Sequence, residues 1–197
     1  MFTKTQIKVM EIFVSEINKK FSIRQISQII EKPYPLVHRS IKLLISNHFL
    51  TKDENNLISL NYKENNAEIA YIESQRKRGF LEKNKTINLF TIDALKKINL
   101  DFFILIIFGS SIKLKNPSDI DVLFIIDNKD RINEFEKLLN NLASNFSKKF
   151  DIKVISIESA YEMLAKRDDI NVMNETLNKH IILFGAENYY RILKNVR

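Results

Sequence analysis

The sequence predicts an α/β protein in which an α-rich N-terminal part precedes a C-terminal part built around a mixed β-sheet. Two observations lead to this prediction. Apolar residues recur at helical spacing in three short segments of the first quarter of the chain. From Phe102 onward, apolar runs of strand length alternate with helical patterns. We therefore expect three units, at residues 1–62, 63–98 and 99–197, of which the middle one is a helical connector.

The N-terminal unit begins with three helical patterns that carry their own start signals. Thr3 or Thr5 suits the cap of the first helix, and Ser22 suits the cap of the second. Pro35 suits the first turn of the third helix, because its fixed backbone angle is already helical there. Two short apolar segments then flank the polar turn KDENN, which predicts a two-stranded hairpin.

Three short helices followed by a hairpin resemble a winged helix-turn-helix domain. The resemblance covers residues 1–60. It implies that the third helix enters the major groove of DNA and that the hairpin touches the DNA backbone. The residues that this helix would present to nucleic acid are Tyr34, His38, Arg39 and Lys42. Domains of this kind also serve as dimerisation or protein-docking modules, so a homodimer is a second expectation.

The positive charge of the chain is concentrated in its first half. Residues 1–60 hold nine Lys/Arg against five Asp/Glu, residues 61–100 hold eight against five, and residues 101–197 hold fourteen of each. A basic unit beside a neutral one favours a polyanionic partner. A lysine-rich solvated surface explains the charge equally well. The basic cluster Gln75–Arg78 could contact phosphates, but it is expected to lie on a solvated helix face.

The C-terminal unit is expected to contain four strands and, counting the end of the connector, four helices. The strands are predicted at 102–108, 122–126, 150–157 and 180–184, and the helices at 86–98, 131–149, 158–166 and 187–195. Between the last two of these strands we expect only the helix at 158–166, and no element in the polar segment that follows it.

Two aspartates stand at the start of the second apolar run, in the stretch FGSSIKLKNPSDIDVLFII. Side chains two apart on a strand point the same way, so Asp119 and Asp121 project together while Ile120 and Val122 face the core. Adjacent carboxylates repel each other, and a divalent cation such as Mg²⁺ removes that cost. Asp151 begins the next strand and is expected beside the pair. Taken alone, an Asp-x-Asp pair is more often bound to backbone amides at a strand end.

The full pattern is an apolar strand, Gly-Ser, a short polar loop, Ser-Asp-Ile-Asp, a second apolar strand, a helix, and an Asp at the head of a third strand. It resembles the DNA polymerase β-like nucleotidyltransferase superfamily, and most closely the minimal archaeal-type domains that follow an N-terminal winged helix. The resemblance implies two-metal transfer of a nucleoside monophosphate from a nucleoside triphosphate. The acceptor is left open as RNA, a protein or a small molecule.

The resemblance also implies roles for individual residues. Asp119 and Asp121 would bridge two Mg²⁺ ions, or Mn²⁺ in their place, and Asp151 would join the second ion and help to activate the acceptor hydroxyl. The residues implied in binding the nucleotide are Gly109, Ser110 and Ser118.

The loop after Gly109-Ser110 departs from the pattern of the superfamily. It is shorter, and it lacks the alanine and the second glycine that the pattern carries, which weakens close backbone contact with phosphate. Lys113 or Lys115 is expected to compensate by charge. Because all three carboxylates are present, an active enzyme is the expectation.

A second function stays open at this stage. A DNA-binding regulator, or an antitoxin-like protein, could use the nucleotidyltransferase fold as a ligand sensor or as a module that modifies a toxin. The expected partner is then DNA, a toxin or another protein acceptor.

Composition excludes several other classes. The chain has no cysteine, which excludes disulfides and thiolate metal sites. No apolar run approaches the roughly 20 residues that span a membrane, and the first residues lack the apolar block of a signal peptide. We therefore expect a cytoplasmic protein without membrane contact. The histidines match no metal spacing and are expected at the surface or in packing; they are His38, His48 and His180.

Overall fold

A computed structural model describes residues 2–64, 66–112 and 117–196. Within these ranges the chain is a mixed α/β protein with a two-stranded and a four-stranded sheet. The helices are α1 (Lys4–Ser15), α2 (Ile23–Ile29), α3 (Tyr34–Ser46), α4 (Asn66–Lys83), α5 (Lys85–Lys97), α6 (Ile132–Ala143), α7 (Ile157–Ala165), α8 (Val172–Thr176) and α9 (Ala186–Val196). The strands are β1 (Leu50–Lys52), β2 (Ile58–Leu60), β3 (Phe103–Phe108), β4 (Asp119–Ile126), β5 (Lys149–Ser156) and β6 (His180–Phe184). None of the helices in the described ranges is both long and apolar enough to cross a membrane.

The N-terminal helices start where their caps predict. The side chains of Thr3 and Ser22 each accept a hydrogen bond from the backbone N–H of the residue three positions later, which is a glutamine in both helices. The side-chain oxygen of that glutamine in turn accepts a hydrogen bond from the backbone N–H of the cap residue. Pro35 lies in the first turn of α3. The strands β1 and β2 pair antiparallel, and the side chain of Asp53 accepts two backbone hydrogen bonds that close their turn. Each element thus forms from local signals.

The four-stranded sheet has the order β5-β4-β3-β6. The central strand β3 runs antiparallel to β4 and β6, whereas β4 and β5 are parallel. Helices α5 and α6 pack on one face, which we call the back face. The helices α4, α7, α8 and α9 and the N-terminal helices pack on the other, the front face. Both faces of β3 are therefore buried, which explains its uninterrupted apolar sequence.

The apolar core of the front face continues into the N-terminal helices. Residues such as Phe13 in α1 and Ile106 in β3 belong to the same contiguous cluster. Two backbone hydrogen bonds also join the end of α1 to the residues before β6. Ile17 donates to the carbonyl of Leu177 at 2.9 Å, and Lys179 donates to that of Ser15 at 2.9 Å. The N-terminal unit is therefore attached to the sheet by packing and by backbone pairing.

Three elements differ from the sequence-based expectation. Helix α6 ends at Ala143, short of the expected residue 149, because a turn and β5 follow. Helix α8 occupies part of the segment that was given no element; at five residues it is too short to show a helical period. Strand β4 begins at Asp119, before the expected residue 122, because Asp119 and Asp121 pair with Lys149 and Asp151 of β5.

A charged network lies buried where α4, β6 and α9 meet. The carboxylate of Glu73 accepts hydrogen bonds from the hydroxyl of Tyr190 (2.7 Å) and from Nε2 of His180 (3.1 Å), and it pairs with Arg76 (2.6 Å). The second guanidinium nitrogen of Arg76 donates to the carbonyl of His180 at 2.7 Å. Lys77 donates to the carbonyl of Leu183. The basic cluster at 75–78 is thus partly buried, and the solvated face expected from the sequence is wrong for Arg76.

The partners of Glu73 decide its protonation state. Burial alone raises the pKa of this carboxyl, but the positive charge of Arg76 and the contacts with His180 and Tyr190 outweigh burial, so its pKa lies below the ordinary 4.5. Burial and the charge of Glu73 together hold the pKa of Tyr190 well above its usual value. Glu73 is therefore an anion that only accepts hydrogen bonds, and His180 must donate to it from a protonated Nε2.

Replacing Glu73 by glutamine is expected to destabilise the fold by about 3–5 kcal/mol, because it leaves the buried Arg76 without its counter-charge. Urea unfolding measures the change, and Glu82→Gln, on the exposed side of the same helix, is the control. Since folding lowers the pKa of Glu73, its contribution is complete above pH 4.5 and is lost as the pH falls below that value. The acid side of the stability curve should be flatter in E73Q than in the wild type. Equal stability of E73Q and E82Q would contradict this role.

Candidate active site

Asp119 and Asp121 are the first and third residues of β4. The residues that alternate with them, Ile120 and Val122, are fully buried in the back-face core. The two aspartates therefore project from the front face, and both are partly exposed. This is the orientation that the alternating pattern of the sequence predicts.

Asp151 lies beside this pair on the neighbouring strand. In the parallel register of β4 and β5, Asp151 is directly opposite Asp121, and Lys149 is opposite Asp119. Residues in register on adjacent strands lie about 4.8 Å apart and point to the same face of the sheet. The structure thus brings together the three carboxylates that the sequence singled out.

The surroundings of Asp121 disfavour its charged form. Partial burial raises its pKa first, and the negative charges of Asp119 and Asp151 raise it further. Glu175 on α8 acts in the same direction, while Lys153 on β5 opposes it. No motif in the sequence singles out Glu175 or Lys153. The alternation of β5 would have placed Lys153 beside Asp151, but the short helix that carries Glu175 left no periodic signal.

Gly109 follows β3 directly and has a positive φ of 74°. A Cβ atom at this position would overlap the Oδ2 oxygen of Asp121. Glycine is therefore required here for two reasons: its backbone conformation is unfavourable for other residues, and a side chain would displace the carboxylate. The contact places the Gly109 backbone against the aspartates.

The serines near this glycine have different surroundings. Ser110 is exposed in the short 3₁₀ turn Gly109–Ile112. Ser111 is buried, and its hydroxyl donates to the carbonyl of Phe108 at 3.0 Å, which closes the turn. Ser118 is exposed and donates to Oδ1 of Asp119 at 2.8 Å. Lys113 and Lys115, expected to compensate for the shortened loop, lie outside the described residues.

The donor chemistry of this cluster fits a hard divalent cation. Asp119, Asp121 and Asp151 offer carboxylate oxygens on one sheet face, and a cation would offset both the partial burial and the repulsion that raise the pKa of Asp121. Among the described residues, no three His, Cys, Asp or Glu side chains are placed close enough together to enclose a metal ion. The residue types therefore suit Mg²⁺, although their present arrangement does not form a closed ligand set.

A second candidate surface lies on α3. Val37, Ile41 and Leu44 are buried on its inner side. The outer side carries the four residues expected to contact nucleic acid, all exposed: Tyr34, His38, Arg39 and Lys42. The rings of the first two stack with their centroids 6.0 Å apart. A cleft of about 280 Å³ between α3 and the hairpin is bordered by His38, Lys42 and Lys52.

The remaining histidines do not join either surface. His48 is exposed and has a positive φ of 60° after α3. His180 is fully buried in the Glu73 network, and its Nδ1 atom has no hydrogen-bond partner among the described residues. The sequence predicts His180 at the surface or in packing. It does not predict the charged partner of His180, because Glu73 lies on a helix far away in the sequence.

No protein-family model matches the chain, and no curated protein matches its sequence. Among solved structures, the crystal structure of the Thermotoga maritima IclR matches with 12% sequence identity and a TM-score of 0.29. The match covers 54% of this chain and 40% of the other. A TM-score this low carries no argument about fold or function.

Replacing Gly109 by alanine is expected to destabilise the protein by at least about 1–2 kcal/mol, because alanine is strained at positive φ and its methyl group must displace Asp121. Gly79→Ala is the matched control. Gly79 lies inside α4 with open space around it, so alanine there is expected to stabilise the protein by about 0.5–1 kcal/mol. Urea unfolding of the two variants compares the effects directly. A G109A protein as stable as G79A would disprove the close contact with Asp121.

Proposed function

We propose that the chain is a Mg²⁺-dependent nucleotidyltransferase, with Mn²⁺ as an alternative ion. In this proposal the C-terminal unit is a minimal nucleotidyltransferase domain and the N-terminal unit is a winged helix-turn-helix. The observation that carries the proposal is the meeting of three carboxylates on one sheet face with a glycine backbone packed against one of them. This combination is needed where a phosphate chain must approach a set of oxygen ligands closely.

In this proposal, different residues would bind the triphosphate and the cation. Backbone N–H groups at Gly109 and Ser110 and the serine hydroxyl would hold the phosphates of the nucleoside triphosphate. Asp119 and Asp121 would hold the cation, with Ser118 keeping Asp119 oriented through its hydrogen bond. When bound, Mg²⁺ supplies charge neutralisation for the triphosphate and for the developing negative charge of the leaving pyrophosphate.

Asp151 would act on the acceptor. Its carboxylate lies on β5, across from Asp121, on the side of the cluster away from Gly109. There it would accept the proton of the acceptor hydroxyl, directly or through water. The acceptor oxygen forms a bond to the α-phosphorus while the bond from that phosphorus to the bridging oxygen breaks, and pyrophosphate leaves.

A DNA-binding regulator is the second candidate function. It is favoured by the exposed outer side of α3 and by the excess of positive charge in residues 1–60. In this case the carboxylate cluster would sense a ligand or modify a partner protein such as a toxin. The two functions make different demands on the two surfaces and can be tested separately.

The double substitution Asp119→Asn with Asp121→Asn is expected to abolish stabilisation of the protein by a nucleoside triphosphate plus Mg²⁺. Thermal unfolding with and without these ligands measures the effect. Asp93→Asn with Asp101→Asn changes the same charge at exposed positions outside the cluster and should retain the ligand response.

The D119N/D121N protein should be at least as stable as the wild type when no ligand is added. Folding raises the pKa of Asp121, so its charged form weakens the fold above that pKa, and removing the charge relieves this cost. Loss of the ligand response would then not be due to unfolding. A wild type that no triphosphate stabilises, or a D119N/D121N protein with a normal response, would refute the proposed site.

The double substitution Arg39→Gln with Lys42→Gln is expected to weaken binding of duplex DNA if α3 occupies the groove. Loss of two phosphate contacts should reduce the slope of log affinity against log salt by about 1.8. Fluorescence anisotropy across a KCl series measures the slope. Lys96→Gln with Lys97→Gln, at the end of α5, is the charge-matched control. An equal slope in R39Q/K42Q and in the wild type would exclude groove docking by this helix.

A further inference from the structure

Two lysines flank Asp151 on the front face of β5. Lys149, Asp151 and Lys153 alternate with Phe150 and Ile152, and the latter two are buried in the back-face core. All three charged residues are exposed. Lys149 lies opposite Asp119 in the register of β4 and β5, and the charge of Lys153 acts on Asp121. The cluster of three aspartates therefore has a positively charged outer border along the edge strand.

The front face is covered further along these strands. One step further along the same strands, Ile125 is fully buried and Ile155 packs on the front-face core beneath the helices. A sheet face that is covered at one end and lined by charged, exposed side chains at the other is shaped to receive a polar ligand there. The two lysines are four residues apart on an extended strand, which separates their Cα atoms by roughly 13 Å.

The order of the strands assigns this border to one side of the reaction. Gly109 follows β3, and the lysines lie on β5, so β4 with its two aspartates stands between them. In phosphoryl and nucleotidyl transfer the attacking and leaving oxygens are roughly in line on opposite sides of the phosphorus. With the leaving pyrophosphate held near Gly109, the acceptor must approach from β5. The lysines therefore face the acceptor rather than the triphosphate.

We propose that the acceptor is a hydroxyl-bearing end of a single-stranded nucleic acid, whose phosphates contact Lys149 and Lys153. This inference rests on the proposed function and specifies its substrate class. An anionic acceptor explains why two cations border the acceptor side of a negatively charged cluster, where a neutral small molecule would need none. The spacing of the lysines suits more than one phosphate of an extended strand.

The N-terminal unit supplies an independent reason to choose nucleic acid over an acidic protein. Residues 1–60 carry a surplus of positive charge, and α3 presents Arg39 and Lys42 together with two stacked aromatic rings. Aromatic and basic side chains in combination are typical of protein surfaces that bind nucleic acid.

In the reaction, the strand's hydroxyl oxygen bonds to the α-phosphorus while the bond from that phosphorus to the bridging oxygen breaks. The hydroxyl proton passes to Asp151 and then to water. The products are an extended strand and pyrophosphate.

The test measures binding of short 5′-fluorescein-labelled oligoribonucleotides and oligodeoxyribonucleotides by anisotropy, with Mg²⁺ and without any nucleoside triphosphate. All proteins carry Arg39→Gln and Lys42→Gln, so the α3 surface does not contribute. Lys149→Gln with Lys153→Gln is compared with Lys96→Gln with Lys137→Gln. The control pair is also exposed and lies on α5 and α6, which cover the back face.

The proposal predicts a loss of affinity of roughly tenfold in K149Q/K153Q and a reduction of the salt slope by about 1.4 for single strands, with no such change in K96Q/K137Q. The better-bound oligonucleotide identifies the acceptor as RNA or DNA. Equal affinities in the two variants would overturn the proposal. So would normal oligonucleotide binding accompanied by self-association in gel filtration, since the lysines would then only protect the edge of the sheet.

A polyglutamate peptide is the competing probe. If it binds at these lysines and the oligonucleotides do not, the acceptor is a protein and the proposal is wrong. Because the binding measurement contains no triphosphate, it can fail while the ligand response of the aspartates is retained. Conversely, loss of that response in the wild type refutes the proposed function whatever the oligonucleotides do.

Discussion

Glu73 is a carboxylate with almost no solvent contact, and the surrounding structure is arranged around its charge. Arg76, His180 and Tyr190 all bond to it, and they come from the connector helix, from β6 and from α9. A buried ion pair contributes modestly to stability, but a lost partner is costly, so the three elements are tied together. His180 is also the register neighbour of Phe108, the residue just before Gly109. The end of β3, from which the glycine turn starts, is therefore held in place through this network.

In the candidate active site the surroundings disfavour a carboxylate charge, whereas the partners of Glu73 favour one. There, partial burial and three other carboxylates all disfavour the charged form of Asp121. A charge that its surroundings disfavour persists only where the rest of the structure enforces its position, and such groups are typical of functional sites. The Glu73 network and the back-face core supply that enforcement. Stability and the proposed chemistry thus depend on different charged clusters, which lie on opposite sides of β3 in the order of the strands.

Much of this arrangement follows from local sequence signals. The caps at Thr3 and Ser22, the apolar run of β3 and the alternation around Asp119 and Asp121 each involve residues within one element, so a single sequence contains them in full. The position of Asp151 beside Asp121 needed only the additional step of pairing consecutive strands. The assignment of the domains as a winged helix and a nucleotidyltransferase remains a prediction.

The features that the sequence did not disclose depend on contacts between distant segments. Glu73 and Tyr190 lie in different helices, and nothing in either helix marks its residue as the partner of the other. The sequence favours an exposed position for Arg76, because arginine is usually exposed, whereas its burial depends on contact with the distant carbonyl of His180. Glu175 sits in a five-residue helix whose position is fixed by packing rather than by its own pattern.

The backbone pairing between the end of α1 and the residues before β6 affects when the chain can complete its folding during synthesis. During synthesis α1 leaves the ribosome long before Leu177 and Lys179, the residues just before β6 that pair with Ile17 and Ser15. Until then these two backbone pairs cannot form, and contacts of such long sequence separation form slowly. Completion of the fold is therefore expected only after this segment has left the ribosome, and a polypeptide stopped before it would leave β3 without its β6 neighbour, with an unpaired strand edge of the kind that promotes aggregation.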